Sequence, residues 1–284
     1  MSWQVLVFLS VVLYSVSILL QRVIMKEDES KPIAFSIFFQ VLSGLVILIV
    51  GLIFSDMSLP SNICELIWNL LLMGLLYGFF NLFALKSLKL TEASKYSIVA
   101  STRVFFTVLA SSVLLKEFLS GPQFVGALLI FAGVVLVNLE SKKFKLDRGT
   151  LLALAGAACF GFANTNDRYL LGSFDVYTYL TISFLLPPIL MSLIYPKQVK
   201  YMKNYLDKKV IKKVLVLSIF YAFAALTFFA ALQVGENSSQ VASIGLTTVV
   251  VTVILATIFL KERDNMPKKI FAALLSLVGL LLLT

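Results

Sequence analysis

The sequence predicts an all-α integral membrane protein in which ten transmembrane helices form two inverted repeats of five, and three observations predict it. Hydrophobic residues fill 60% of the 284 positions and charged residues only 14%, against roughly 45–50% and 25% in a soluble domain. The apolar residues collect in ten runs close to the ~20 residues that a helix needs to cross the hydrocarbon core. The second half of the chain also repeats the first. With five runs in each half, the two enter the membrane from opposite sides.

The runs cover 3–24, 33–54, 66–86, 96–115, 122–138, 149–171, 175–195, 212–232, 239–260 and 267–283, and the short polar turns between them leave no room for a soluble domain. The first run is expected to be a retained helix. No basic residue precedes it, and it exceeds the roughly 7–15-residue apolar core of a signal peptide. Of the 24 lysines and arginines, 21 lie in the odd-numbered connections and only Lys116 and Arg168 in the even ones. The positive-inside rule then puts the odd connections in the cytoplasm and both termini outside a cell (inner or plasma) membrane. Membrane orientation therefore accounts for the net charge of +9 without nucleic acid, because the basic residues sit in loops and not along one soluble face. Around Lys197, the residues Val199, Met202, Leu206 and Val210 recur at helical intervals among lysines. That segment reads equally as a strip on the anionic leaflet or as a solvated basic loop.

Ser94 to Leu129 aligns with Ser239 to Leu274 at an offset of 145, pairing Thr102 with Thr247, Thr107 with Thr252, Leu115-Lys116-Glu117 with Leu260-Lys261-Glu262, and Pro122 with Pro267. Upstream the offset is 144 and pairs Tyr77 with Tyr221. The repeats are expected over 1–140 and 148–284, joined by a basic linker at 141–147.

The order SLKLTEAS (Ser87 to Ser94), then LLKEFLSGPQFVGALLIFAGVVLV, repeated as ALQVGENSS, FLKER and AALLSLVGLLLL, resembles the EamA type of the drug/metabolite transporter superfamily over nearly the whole chain. The resemblance implies transport of small metabolites, amino acids, sugar derivatives or drugs. It also implies a cavity lined by spans one to four and six to nine, with spans five and ten outside. Many relatives carry an acidic residue followed by proline midway along spans four and nine, where this chain has Arg103-Val104 and Thr248-Val249. Many also read with cytoplasmic termini, the reverse of the charge count here.

Residues spaced by three, four and seven share a helix face. Span four aligns Arg103, Thr107 and Ser111 in this way, and its repeat partner aligns Thr248 and Thr252. Span one adds Tyr14, Ser17 and Gln21, span three adds Tyr77 and Asn81 with Tyr221 as the repeat partner of Tyr77, and span six adds Asn164 and Asn166. Small polar residues also serve close helix packing, but four stripes related through the repeat point to a shared polar cavity. In spans five and ten, Gly126 and Gly133, like Ala272 and Gly279, are small residues seven apart that predict packing seams. Pro187-Pro188 removes two amide donors from span seven and predicts a kink, either a hinge or a plain bend.

Arg103 lies about seven residues, or roughly 10 Å, inside span four. A central arginine costs about 2.5–3.5 kcal/mol on insertion scales and so faces a wet cavity or a partner. No carboxylate lies one turn away in the same helix. The missing anion is read as a carboxylate or phosphate of the substrate, with snorkelling or bonds to backbone carbonyls as the alternatives. The acids nearest the spans, Glu92, Asp167 and Glu236, sit at helix ends. Facilitated or exchange transport without obligatory proton coupling is expected, with Asp167 as the exception to watch.

The chain has no histidine, and Cys64 and Cys159 lie in unrelated segments. Neither a metal centre, a cofactor nor hydrolytic chemistry is expected. A small-molecule substrate and the lipid bilayer are the expected partners, and the oligomeric state stays open, a monomer included. The competing readings are a flippase for a lipid-linked sugar or lipid carrier and a non-transporting membrane scaffold.

Overall fold

A computed structural model describes residues 2–27, 30–115, 120–140, 143–144, 146–234, 241 and 244–283, excepting the side chains of 111–115, 140, 143–144, 168, 209, 232–234 and 283. The chain folds as helices α1 (Trp3–Met25), α2 (Pro32–Phe54), α3 (Ile63–Leu90), α4 (Ala93–Ala100), α5 (Arg103–Leu115), α6 (Gly121–Val137), α7 (Arg148–Leu171), α8 (Val176–Ile194), α9 (Pro196–Val199), α10 (Lys208–Val234), α11 (Thr248–Phe259) and α12 (Met266–Leu283). Five of these segments are long and apolar enough to cross a membrane: Trp3–Met25, Pro32–Phe54, Ile63–Leu90, Val176–Ile194 and Val210–Ala231. The protein is a multi-pass membrane protein.

Local sequence sets the helix starts. Pro32 opens α2 where no amide partner is needed. At α6, Pro122 occupies the first turn and the Gln123 Oε1 accepts the Ser120 amide at 2.9 Å. Asp147 starts α7 by accepting the Thr150 amide at 2.7 Å, and Asp175 starts α8 by accepting the Tyr177 and Thr178 amides, each at 3.1 Å. Lys95 also reaches Asp147 at 2.5 Å. Burial works against the Asp147 charge, yet Lys95 and Thr150 hold its carboxyl below the usual carboxylate range.

Two of the expected runs need correction. The run 96–115 is not one helix: it breaks at Ser101-Thr102, where Ser101 Oγ donates to the Ile98 carbonyl at 2.7 Å and Thr102 Oγ1 to the Val99 carbonyl at 2.8 Å. These local bonds compete with the helical ladder. The run 239–260 turns at the repeat-equivalent residues 246–247, where Thr247 Oγ1 and Thr248 Oγ1 bond the Ile244 and Gly245 carbonyls at 2.6 and 2.7 Å. Leu139–Glu140 pairs with Lys143–Phe144 in a small antiparallel ladder. The basic segment after α8 is α9 followed by a 3-10 turn, Lys200–Leu206, and so not one amphipathic helix. Its buried Tyr205 hydroxyl accepts the Lys31 amide at 2.9 Å, while Leu206 points outward.

The most extensive packing pairs are α1 with α10, α2 with α8, α3 with α7, and α6 with α12. Helix α8 runs through Pro187 and Pro188, and glycines in α3 receive this region. A Cβ at Gly74 would stand 2.7 Å from Leu190, and one at Gly78 would stand 2.8 Å from Met191. Between α6 and α12 the backbones themselves meet. A Cβ at Gly133 would come within 2.8 Å of the Ala272 carbonyl, and one at Gly279 within 2.5 Å of the Gly126 carbonyl. Backbone cannot step aside as a side-chain tip can, so Gly279→Val is expected to cost about 1–3 kcal/mol. The melting midpoint of the purified protein reads this. Gly121→Ala, where a Cβ meets nothing within 4 Å, should melt with the parent, and an unchanged Gly279→Val would remove the seam from the account.

At the end of the bundle that carries the basic connections, the two halves are clasped. Glu262 is buried, and its carboxylate accepts the Ala93 amide at 2.9 Å, the Ser94 amide at 3.0 Å and the Ser94 hydroxyl at 2.7 Å. It thereby fills the first-turn donors of α4 that no helical carbonyl reaches. Lys269 of α12 pairs with Glu92 beside it. Arg22 of α1 donates to the Leu88 and Lys89 carbonyls at 2.6 and 3.1 Å, closing the C-terminal end of α3.

Candidate functional site

Arg103 is the first residue of α5, directly after the break. Its guanidinium lies over the Phe160 ring of α7, 4.9 Å from the centroid, and over the Tyr14 ring of α1 at 5.7 Å. Nη1 donates to the Tyr14 hydroxyl at 3.3 Å. Phe160 reaches this position because Gly161 admits the α5 backbone: a Cβ there would stand 2.7 Å from the Thr107 nitrogen. Ring faces attract a cation by about 0.5–2 kcal/mol, less than a buried counter-ion supplies. Among the described residues the ion pairs are Lys95–Asp147, Lys213–Glu27 and Lys269–Glu92, and Arg103 belongs to none of them. Its guanidinium bonds the Tyr14 hydroxyl and no backbone carbonyl among these residues.

The group faces a narrow cavity between the halves. Its walls are Tyr14 and Ile18 of α1, Tyr96, Ser97, Ala100 and Ser101 around α4, Arg103 and Val104 of α5, Leu246, Thr248 and Val249 at the second break, and Leu280. The space open to water centres is about 20 Å³, close to the ~10–15 Å³ that one water requires. The space as it stands is too small for a metabolite.

Of the residues singled out from sequence, Tyr14, Arg103 and Thr248 line this cavity. Thr107 is buried just behind it, with its hydroxyl on the Arg103 carbonyl at 3.0 Å. Thr252 is buried with its hydroxyl unbonded among the described residues. Tyr221 packs its ring at an angle against Tyr14, Phe39 and Phe184, with centroids 5.6, 5.0 and 5.7 Å away, which makes it the aromatic backing of Tyr14. The others do not join the cavity wall. Ser17 bonds the Leu13 carbonyl of its own helix at 2.8 Å, and Asn81 bonds the Tyr77 carbonyl at 2.9 Å. Asn166 bonds the Asn69 carbonyl at 2.9 Å and Tyr77 donates to Asp167. Gln21 is buried and Asn164 half-buried, both away from that lining. The Ser111 side chain lies outside the described residues.

Tyr96, Ser97, Ser101 and Phe160 were missed. Tyr96 and Ser97 stand four and three residues before Ala100, a spacing that placed them on its face. Phe160 follows Tyr14 by 146 residues and is its counterpart in the second half.

A broken helix in each half, both breaks opening on one cavity with a cation at its edge that has no ion pair among the described residues, is the layout of a membrane solute carrier. A family model described as the EamA-like transporter family matches residues 1–139 and again 147–284. The chain belongs to the EamA-like transporter family. Over 96 residues it is 34% identical to Solute carrier family 35 member B1 of Rattus norvegicus, a match that covers 34% of this chain and 30% of that one. To the protein of the same name from Gallus gallus it is 33% identical over 93 residues, covering 33% and 29%. The match thus spans about a third of the length of these relatives. The crystal structure of another protein superposes with a TM-score of 0.66 at 18% identity, covering 99% of this chain and 96% of that one. At that identity the likeness is one of fold. The EamA-like chain accordingly shares its whole architecture, and not one isolated helix pair, with a solved structure.

Proposed function

We propose that this chain moves a small metabolite bearing a carboxylate or other anionic group, amino acid-like in size, across the membrane by alternating access in facilitated or exchange mode. The carrying observation is Arg103, a cation at a half-helix terminus, held by two aromatic faces and one hydroxyl and lacking an ion pair among the described residues. The near-closed cavity supports a state in which access from both sides is shut. The reading takes the fold as ten spans in two inverted repeats, 1–140 and 148–284. The packing supports this: α1 with α10 mirrors α7 with α3, and α11 with α1 mirrors α5 with α7.

A thermal-shift panel on the purified protein tests the substrate class, because a ligand of the folded state stabilises it by about 2.7 kcal/mol at a hundred times its dissociation constant. Carboxylates and phosphates should raise the midpoint and their neutral amides and alcohols should not. Equal responses from both sets would remove the anion from the proposal.

The 21 basic residues in the odd connections support both termini lying outside the cell membrane. A C-terminal reporter that fluoresces only in the cytoplasm is expected to stay dark, and a bright signal would reverse the assignment.

A further inference from the structure

A second charged group is buried behind the Arg103 cavity. Asp167 of α7 is 6% exposed, and its Oδ2 accepts the Tyr77 hydroxyl from α3. Its Oδ1 makes no close hydrogen bond among the described residues, and the Tyr179 hydroxyl of α8 is the group that faces it. The surroundings are apolar: Leu66, Leu70, Met73, Leu170 and Phe174 pack with Tyr179. A carboxylate held there between two phenols, with no counter-ion among the described residues, pays a desolvation cost that neutral donors return only in part.

The repeat contains its own control. At an offset of 146, α1 aligns with α7, pairing Tyr14 with Phe160, Gln21 with Asp167 and Arg22 with Arg168. Gln21 is 7% exposed, as buried as Asp167. The fold therefore packs an uncharged amide at the equivalent place. A carboxyl shape is not what the position needs, and the difference between the halves is an ionisable group.

We propose that Asp167 is a proton-binding site within the membrane, loaded and emptied as the transporter cycles. A proton on Oδ1 turns the unpartnered acceptor into an O–H donor, with the Tyr179 oxygen opposite to accept it, and removes the buried charge. A metal cation fits the geometry poorly. Hard cations of the calcium type take six to eight oxygens, whereas this place offers one carboxylate and two phenols, with the Asn166 amide already on the Asn69 carbonyl. No cluster of three ligating acids or cysteines occurs among the described residues.

The titratable or charged groups around it are few. Tyr77 faces it from α3 and Tyr179 from α8. On α7 itself, Tyr169 is exposed, and the Arg168 side chain lies outside the described residues. From α5, Arg103 meets α7 at Phe160, two turns away. Asp167, read from the sequence as lying at a helix end, is thus enclosed by three helices.

The site needs no knowledge of the transported molecule to be tested, so its fate is separate from that of Arg103. Infrared difference spectra of the full chain in lipid nanodiscs, recorded as the buffer is stepped from acid to alkaline, use the proton itself as the probe. A carboxylic C=O band of a buried acid should titrate in the parent and vanish in Asp167→Asn, a change that the Gln21 counterpart shows the fold accepts. In Tyr77→Phe the same band should persist at a shifted frequency, because the acid remains and one donor is gone. Arg103→Gln should keep it. Spectra of Asp167→Asn that superpose on the parent's, or an Asp167 band that stays constant across the whole series, would overturn the proposal.

Discussion

Arg103→Gln is expected to weaken the binding of an anionic substrate at least about thirtyfold, since removing one partner of a buried charge pair costs on the order of 2–5 kcal/mol. The protein should still insert and fold. Glutamine relieves the membrane of a cation that, among the described residues, meets the Phe160 and Tyr14 faces and the Tyr14 hydroxyl. Arg103→Lys separates charge from shape: a lysine restores the point charge but loses the planar fork that bonds a carboxylate twice and stacks on a ring. Recovery should therefore be partial. Titrating the best anion of the thermal-shift panel against parent, Gln and Lys variants gives the three affinities, and equal values for parent and Gln would make the cation structural.

Glu262→Ala should produce the largest loss of stability among single changes at the basic end. The Glu262 carboxylate fills two backbone donors and one hydroxyl of α4 at once, and it is buried while doing so. Hydrogen bonds to charged groups contribute about 1.5–3 kcal/mol each, and orphaned buried donors add their own cost. We expect a loss of about 2–4 kcal/mol. Glu262→Gln should rescue little, because its NH₂ would confront an amide donor. Ser97 lines the cavity one turn inside Ser94. A cysteine at Ser97, in a background with Cys64 and Cys159 replaced, should therefore label faster from that side once the cap is gone. If melting and labelling both match the parent, the clasp does not hold this end shut.

Much of the architecture was legible because the bilayer leaves few options. Apolar runs must be helices, and Ser120, Pro122 and Gln123 announce the start of α6 locally. The breaks were not legible. Ser101 and Thr102 are ordinary polar residues inside an apolar run, and only their hydroxyls turning back onto Ile98 and Val99 make a helix end there. Arg103 drew attention because a charge in lipid is costly wherever it points. Phe160 did not, because an aromatic residue on a membrane helix is unremarked until its neighbour across the interface is known. The polar stripes were legible only as faces. Spacing tells which residues share a face and says nothing about whether that face meets water or another helix, so Ser17, Asn81 and Asn166 ended on backbone carbonyls.

The reciprocal glycine contacts of α6 and α12 also bear on mechanics. Each backbone sits in a notch of the other, Gly133 against Ala272 and Gly279 against Gly126. Slipping by a single residue moves a helix about 1.5 Å along its axis, enough to drive a carbonyl into the opposing chain. The last helix of each half is therefore locked to its twin as a keel. On the proposed alternating-access cycle, a rocking that exposed the central cation to one side and then the other would pivot on that keel, with its travel taken up at the jointed helices α4–α5 and residues 244–259.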